Sequence, residues 1–296
     1  MPPAIRPADP ARLPDFVGEV SGIDLRQPLA PADIAAIQAG IDRFAVLVFR
    51  DQQLDDAQQL AFTRHFGALE LASGDLMQGA SRRLREEVND ISNLDRDNKV
   101  RARDDRARLF SLGNMLWHSD SSFKATPAKY SLLSARVIPD HGGNTEFADM
   151  RAAWDALDAP TQAQVRDLIC EHSQIFSRFT LGFTDFTDEE RAKWAPVAQR
   201  LVRRHPATGR MSLYLSSHAG AIQGSPIPEA RMLLRDLNEF ATAPRFVHAH
   251  VWQRWDLVMW DNRVTMHRGR RYPADQPRDL HRTTVEDAAP TLEQAA

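Results

Sequence analysis

Residues 130–147, YSLLSARVIPDHGGNTEF, indicate the fold class of this chain. Tyr130 to Ile138 is a long apolar stretch typical of a buried strand. Asn144 to Phe147 predicts the next strand, and Asp140 to Gly143 predicts a turn, because paired glycines supply the dihedral freedom that a tight reversal requires. We therefore expect a β-rich second half in which helices form the long connections.

Helices and further strands are predicted on both sides of this stretch. Proline or aspartate in a first turn, followed by apolar residues at helical spacing, predicts helices, and short apolar runs bounded by turn residues predict strands. The predicted helices begin at Ala30, cover about Asp55 to Phe66, include Trp154 and Leu157 after a cap at Asp149, run from Asp158 to about Glu171, and cover Ser225 to Ala241. The predicted strands are Ala45 to Phe49, Phe246 to Trp252, Asp256 to Trp260 and Arg263 to His267.

Composition limits the classes of partner. The 296 residues carry a formal net charge of −3, which offers no general attraction for nucleic acid or anionic lipid. Cys170 is the single cysteine, so an internal disulfide and a thiolate zinc cluster are excluded. The start resembles no signal peptide, and no apolar run reaches the ~20 residues of a membrane span. We expect one cytoplasmic domain over residues 1–296 that forms a homo-oligomer.

Two regions differ from the rest. Residues 70–115 carry clusters of mixed charge, which are typical of a solvated face; their position before the motif described next favours an active-site lid. The tail after Asp287 is expected to be disordered.

His118-Ser119-Asp120 and a distant His267 are candidate metal ligands. Residues two apart on an extended segment project to the same side, so His118 and Asp120 can bind one ion. Two histidines and one carboxylate that leave the opposite positions open suit non-haem Fe(II) oxygenases. Zinc accepts the same ligands, so a zinc hydrolase stays an alternative, and so does chance occurrence of the tripeptide.

The arginines after His267 favour the oxygenase. Arg278 and Arg282 have the same parity, so on one strand both would point to the same side. Such an enzyme must hold 2-oxoglutarate by its distal carboxylate, for which arginine is well suited. The alternative is that these arginines form a solvated or phosphate-binding patch.

Several segments together resemble the taurine dioxygenase family, and most closely its 2,4-dichlorophenoxyacetate dioxygenases. The resemblance covers about Phe16 to Asp287. Its motifs are Asn89-Asp90-Ile91-Ser92-Asn93, Trp117-His118-Ser119-Asp120-Ser121-Ser122-Phe123, Gly142-Gly143-Asn144-Thr145-Glu146-Phe147-Ala148-Asp149-Met150, Trp260-Asp261-Asn262-Arg263 and His267.

The resemblance implies a double-stranded β-helix, or jelly roll, with flanking helices, and it implies roles for single residues. By that resemblance His118, Asp120 and His267 would bind Fe(II), and Thr145 and Arg278 would hold 2-oxoglutarate. Arg282 and Lys99 would meet the substrate's carboxylate. The implied reaction uses O₂ to hydroxylate the carbon next to the ether oxygen of an aryloxyalkanoate, giving a phenol, glyoxylate, succinate and CO₂.

The stretch Leu71 to Arg85 departs from the family. The resemblance to the phenoxyacetate enzymes implies a lysine there that this chain replaces by Asp75, which would repel an anion unless Arg82 or Arg83 compensates. A sulfonate, a sulfate ester or another aromatic carboxylate is therefore an alternative substrate. A cupin-like metal-binding sensor without turnover is a third interpretation.

Aromatic residues near the motif have two interpretations. Phe110, Leu116 and Phe183 could line a substrate pocket or belong to the core. Trp117, beside His118, could pack the core or be oxidised when substrate is missing.

Overall fold

Two β-sheets face each other at the centre of the protein. The computed structural model describes residues 2–72 and 82–294. The strands are β1 (Ala4–Pro7), β2 (Val17–Ser21), β3 (Val46–Phe49), β4 (Asn89–Ser92), β5 (Ala128–Val137), β6 (Thr145–Asp149), β7 (Ile169–His172), β8 (Val197–Arg200), β9 (Val202–Arg204), β10 (Met211–Leu213), β11 (Ala219–Ile222), β12 (Val247–His250), β13 (Leu257–Asp261), β14 (Thr265–Gly269) and β15 (Asp279–Glu286). The helices are α1 (Pro31–Phe44), α2 (Asp56–Arg64), α3 (Arg106–Ser111), α4 (Met150–Asp155), α5 (Ala159–Val165), α6 (Gln174–Phe179), α7 (Asp188–Lys193) and α8 (Ile227–Ala241).

The larger sheet has the order β1-β2-β3-β13-β5-β15-β4 and is antiparallel except for the β2–β3 pair. The smaller sheet has the order β12-β6-β14. Leu133, Val258, Trp260 and Leu280 of the larger sheet belong to one buried cluster with Phe147 of the smaller sheet. This interior between two sheets is that of a jelly roll, so the predicted fold class is confirmed.

Helices cover the outer faces of both sheets. In α1, Pro31 occupies the first turn and the Asp33 carboxylate accepts the Ala30 N–H at 3.3 Å, so the predicted start is confirmed. Ile37 and Ile41 are buried and belong to the cluster on the outer side of the larger sheet. Helices α4 and α8 cover the smaller sheet. Within the described ranges, no helix has the length and apolar character needed to cross a bilayer.

Two local predictions were wrong. β5 and β6 do not form a tight hairpin: β5 belongs to the larger sheet and β6 to the smaller one, so Gly142 and Gly143 lie in a crossover between sheets. The helix that begins at Ala159 ends at Val165 rather than near Glu171. The chain then forms β7, which pairs with β8 and β11, because sheet pairing outweighs local helix propensity.

The segment after Asp287 is ordered as far as Gln294, contrary to the expected disorder. Thr291 is fully buried and its hydroxyl donates to Gln199 Oε1 at 2.6 Å. Arg203 donates to Asp287 at 2.5 Å and to Gln294 Oε1 at 2.6 Å. Polar contacts, rather than apolar burial, hold this segment on the domain.

We predict that Gly142→Ala destabilises the protein more than Gly224→Ala. Both glycines have left-handed backbones, with φ of 74° and 77°, so either alanine costs about 1 kcal/mol. A Cβ on Gly142 would also lie 2.4 Å from the Arg271 carbonyl oxygen, whereas nothing lies within 4 Å at Gly224. Denaturant unfolding should show an additional loss of roughly 1–3 kcal/mol for Gly142→Ala. Equal losses in the two variants would contradict the close contact.

Candidate active site

A short antiparallel backbone pairing brings two histidines together. The His118 N–H donates to the His267 carbonyl at 3.0 Å, and the His267 N–H donates to the His118 carbonyl at 2.8 Å. Side chains directly opposite each other on antiparallel strands are close neighbours. The two imidazole centroids accordingly lie 4.2 Å apart. This pairing extends the smaller sheet beyond β14 and places both rings on one side of it.

Asp120 completes the group. Its carboxylate oxygens lie 3.8 Å from His118 Nε2 and 3.7 Å from His267 Nε2. The atoms of the three residues that could bind a metal all lie within 4.8 Å of one another. Ser119 points the other way and donates to the Thr265 carbonyl at 2.9 Å, as strand parity predicts. The structure thus brings His118, Asp120 and His267 together.

The larger sheet holds Asp120 in place. Ser131 Oγ donates to one carboxylate oxygen at 2.7 Å, and Arg282 donates to the other. The Asp120 N–H donates to Asn262 Oδ1 at 3.1 Å. Asn262 Oδ1 also accepts the Trp260 indole N–H at 3.0 Å, and the Asn262 amide donates to Ser131 Oγ at 3.0 Å. Asp120 is therefore fixed by side chains that are also hydrogen-bonded to one another.

Burial and Arg282 set the charges of these groups. Burial lowers the pKa of His118, and burial together with His118 lowers the pKa of His267 well below its ordinary value. Burial alone would raise the pKa of Asp120, but Arg282 and the histidines hold it at about 2. His118 Nδ1 lies 2.7 Å from the Leu116 carbonyl, so Nδ1 carries the proton and Nε2 keeps its lone pair. Neutral imidazoles and an ionised carboxylate are the states that bind a metal.

A cavity opens beside the histidines, and we call it the Thr145 cavity. Residues that line it include His118, Thr145, Trp260, His267, Arg278 and Arg282. Within the described chain, the Arg278 guanidinium donates to backbone carbonyls, of Ile91 at 3.4 Å and Gly143 at 3.3 Å. Burial lowers the pKa of Arg278. Thr145 Oγ1 accepts the Trp252 indole N–H at 3.0 Å, so its own O–H is available to donate. A buried cation and a hydroxyl donor suit a carboxylate.

A second cavity shares His118 and Arg282 with the first, and we call it the Phe110 cavity. Residues that line it include Phe110, His118, Asp120, Phe123, Arg178 and Arg282. Arg282 Nε is buried and has no hydrogen-bond partner among the described residues. A cavity lined by both phenylalanine rings and arginine side chains is suited to an anion that carries an aromatic ring.

The structure does not bring Lys99 to either cavity. The Lys99 side chain is exposed, and the Lys99 backbone N–H donates to Asp95 Oδ1 at 2.9 Å. Lys99 is absent from the described residues that line the Thr145 and Phe110 cavities. The predicted contact between Lys99 and a substrate carboxylate is not present in this arrangement.

The two arginines considered as replacements for the lysine are also engaged elsewhere. Arg83 pairs with Asp90 at 2.7 Å and with Asp279 at 2.5 Å. Arg82 donates to the Val88 carbonyl at 3.2 Å. Asp75 itself lies outside the described residues.

The region expected to form a lid, residues 70–115, contributes walls to the site. β4 is the edge strand of the larger sheet beside β15. Ile91 from β4 and Asn114, in the 3₁₀ turn Leu112–Met115 that follows α3, line the Thr145 cavity. Lid movement itself stays a prediction.

The aromatic candidates divide between lining and core. Phe110 lines the cavity named after it, and Phe183 packs against it with ring centroids 5.7 Å apart. Leu116 is not among the described residues lining either cavity. Trp117 is buried in the core outside the smaller sheet, with the Arg268 guanidinium 4.5 Å from its ring centroid.

Three residues of the site were missed from the sequence. Ser131 was assigned only to a strand and Asn262 only to the motif Trp260-Asp261-Asn262-Arg263 without a role, although both hold Asp120. Ser131 lies at an inward position of its strand, which is the one signal that could have indicated it. Arg178 lines the Phe110 cavity, and no spacing to another site residue marks it in the sequence.

Two histidines and one carboxylate, set between the sheets of a jelly roll with open cavities beside them, define a non-haem metal oxygenase. The chain belongs to the taurine catabolism dioxygenase TauD, TfdA family, whose model matches residues 4–284. The predicted family and enzyme class are thereby confirmed.

The chain is similar to several known dioxygenases over most of its length. It is 46% identical over 272 residues to the alpha-ketoglutarate-dependent 2,4-dichlorophenoxyacetate dioxygenase of Burkholderia sp. strain RASC, covering 92% of each chain. It is 47% identical to the enzyme of that name from Cupriavidus pinatubonensis, covering 93% of this chain and 96% of that one. The crystal structure of AAD-2 in complex with Mn(II) and N-oxalylglycine superposes with a TM-score of 0.95 at 56% identity, covering 98% of this chain and 100% of that chain.

We predict that Ser131→Ala weakens metal binding, because the variant loses the hydrogen bond that orients Asp120. Loss of such a partner costs about 10- to 100-fold in affinity. Ser134→Ala is the matched control: Ser134 lies on the same strand, is buried, and its hydroxyl has no partner within residues 2–72 and 82–294. Calorimetric titration with Mn(II) measures the difference. Equal affinities in the two variants would show that Ser131 does not support the ligand.

Proposed function

We propose that this protein is an Fe(II)- and 2-oxoglutarate-dependent dioxygenase acting on aryloxyalkanoates such as 2,4-dichlorophenoxyacetate. The observation that carries the proposal is the meeting of two cavities at one group of metal-binding residues, with Arg282 in the wall of both cavities and the buried Arg278 in the wall of the Thr145 cavity. Substantial identity to two 2,4-dichlorophenoxyacetate dioxygenases supports the substrate class.

His118, Asp120 and His267 would hold the metal. Their donor set fits Fe(II), because two neutral imidazoles and one carboxylate lie within 4.8 Å of one another and face open cavities. When bound, the iron supplies activation of O₂ coupled to oxidative decarboxylation of 2-oxoglutarate. Asp120 is ionised and oriented before the metal arrives, so binding requires little rearrangement of this ligand.

Arg278 and Thr145 would bind the distal carboxylate of 2-oxoglutarate in the Thr145 cavity. Arg278 is 7% exposed, and its guanidinium donates to backbone carbonyls without a carboxylate partner in the described chain. A carboxylate would therefore repay part of the cost of burying this charge. The ligand of the AAD-2 structure, N-oxalylglycine, differs from 2-oxoglutarate by one NH in place of a CH₂, which supports a site of this kind.

Arg282 would bind the substrate's carboxylate in the Phe110 cavity. Its Nε is buried and no described residue accepts a hydrogen bond from it, so a donor is available there. Phe110 and Phe123 offer apolar surface for the aromatic ring. A carboxylate at Arg282 places the adjacent carbon near the metal ligands, since Arg282 also touches Asp120.

The products follow from the carbon that is oxidised. One oxygen atom of O₂ is inserted into a C–H bond of the carbon between the ether oxygen and the carboxylate. The other oxygen atom enters succinate. The resulting hemiacetal breaks the bond between the hydroxylated carbon and the ether oxygen; the oxygen stays on the ring and takes up a proton, giving a phenol and glyoxylate. A cytoplasmic location and a homo-oligomeric state, expected from the sequence, stay predictions.

The test is a substrate panel with the Fe(II)-loaded protein. Phenoxyacetate, 2,4-dichlorophenoxyacetate and 2-phenoxypropionate should each yield one phenol per succinate, whereas an alkylsulfonate of similar size should not stimulate succinate formation. Arg282→Gln should raise KM for the phenoxyacetates by roughly tenfold or more, because a charged hydrogen bond is lost. KM for 2-oxoglutarate should change little in that variant. Turnover of the sulfonate with none of the phenoxyacetates would refute the assigned substrate class.

A further inference from the structure

Arg178 is a buried cation in the wall of the Phe110 cavity. It lies on α6 and is 4% exposed. Its Nε donates to the Phe110 carbonyl at 3.0 Å, Nη1 donates to Ser177 Oγ at 3.0 Å, and Nη2 lies 3.5 Å from Asn114 Oδ1. None of the acidic residues in the described chain forms an ion pair with it.

The donor capacity of Arg178 exceeds these acceptors. A guanidinium has five N–H groups, and here three acceptors meet it, one of them at the limit of hydrogen-bonding distance. Burial lowers the pKa of Arg178 to about 10, so the group keeps its charge at neutral pH. A buried charge without an acidic partner is costly unless further acceptors reach it.

The surroundings of Arg178 are shaped to hold its guanidinium in one place. The guanidinium carbon lies 4.6 Å from the centroid of the Phe110 ring. A Cβ on Gly113 would lie 2.2 Å from that same carbon, so the absence of a side chain there lets the backbone approach. The charge is therefore fixed next to the aromatic wall of the cavity rather than free to swing away.

Arg178 and Arg282 reach the Phe110 cavity from different elements, α6 and β15. Arg282 touches the metal ligand Asp120, whereas Arg178 is packed on Phe110. A substrate whose carboxylate meets Arg282 and whose ring lies along Phe110 would bring the edge of that ring to Arg178.

We propose that Arg178 is a specificity-determining residue that donates hydrogen bonds to an acceptor group on the substrate's aromatic ring. This inference rests on the proposed function and deepens it: the preferred substrates are aryloxyalkanoates whose ring carries a hydrogen-bond acceptor in addition to the ether and the carboxylate.

The test compares matched ligands. Nitro and isopropyl groups have similar shapes, and the nitro group alone accepts hydrogen bonds. The ortho, meta and para isomers of nitrophenoxyacetate, each with its isopropyl counterpart, are titrated anaerobically into protein loaded with Mn(II) and 2-oxoglutarate. Dissociation constants are measured by calorimetry, and release of phenol by the Fe(II) protein is measured separately.

The wild-type protein should bind at least one nitro isomer more tightly than its isopropyl partner. Arg178→Gln should reduce that preference about tenfold, since hydrogen bonds to charged groups contribute roughly 1.5–3 kcal/mol. Arg178→Lys, which keeps the charge, should restore part of it.

Arg106→Gln is the matched control. Arg106 links α3 to the region of α7 by two ion pairs, with Asp185 just before α7 at 2.7 Å and with Glu190 in α7 at 2.7 Å. Arg106 is not among the described residues that line either cavity. If Arg178 acts only by holding α3, both Gln variants should weaken nitro and isopropyl ligands alike, and that result would overturn the inference. The absence of any nitro preference in the wild-type protein would overturn it as well.

Failure of the inference can be distinguished from failure of the proposed function. If the wild-type protein releases phenols from both the nitro and the isopropyl compounds and binds them with equal affinity, the proposed function stands and only the role of Arg178 is refuted. If the wild-type protein neither binds nor converts any of these compounds, both the proposed function and the role of Arg178 are refuted.

Discussion

The site depends on the backbone pairing between His118 and His267. Two reciprocal hydrogen bonds, at 3.0 and 2.8 Å, fix the two residues opposite each other at the edge of the smaller sheet. Their side chains cannot separate without breaking this pairing, so the spacing of the two imidazoles is a property of the sheet. A metal ion would therefore meet two of its ligands already in position, which reduces the ordering cost of binding.

The third ligand links the two sheets. Asp120 follows the strand-like segment at the smaller sheet, yet Ser131, Asn262 and Arg282, which hold its carboxylate and its N–H, belong to the larger sheet and the turn after β13. The relative position of the sheets thus sets the orientation of Asp120. The sheets are held together by apolar packing, in which the ring centroids of Phe147 and Trp260 lie 5.5 Å apart. This packing consequently supports the metal site as well as the stability of the domain.

Sequence patterns predicted the features that depend on local periodicity or on a motif. The start of α1, the strand β3 and the position of His118 and Asp120 on one side of their segment follow from spacing and parity, whereas the convergence of His267 on them was implied by the family resemblance. Features that depend on distant partners could not be predicted in this way. The helix begun at Ala159 ends early because β7 pairs with two strands far along the chain, and Thr291 is buried in a segment whose composition resembles a free tail. The sequence did not indicate Arg178 for the same reason: whether a single arginine is buried depends on segments that are distant in the sequence and pack against it.

A formal net charge of −3 suggests little affinity for anions, and the two cavities show why that average is a poor guide. Four arginines line these cavities: Arg178, Arg270, Arg278 and Arg282. Of the described acidic residues, Asp120 pairs with Arg282 and Glu146 with the half-exposed Arg270, whereas none pairs with the buried Arg178 and Arg278. Electrostatic interactions are stronger in a buried, low-dielectric environment than at the surface, so a few such charges outweigh many exposed ones of the opposite sign. They are also screened less by salt, since counter-ions do not reach them easily. Selectivity for anionic ligands therefore arises from where these cations are buried, which the overall composition does not reveal.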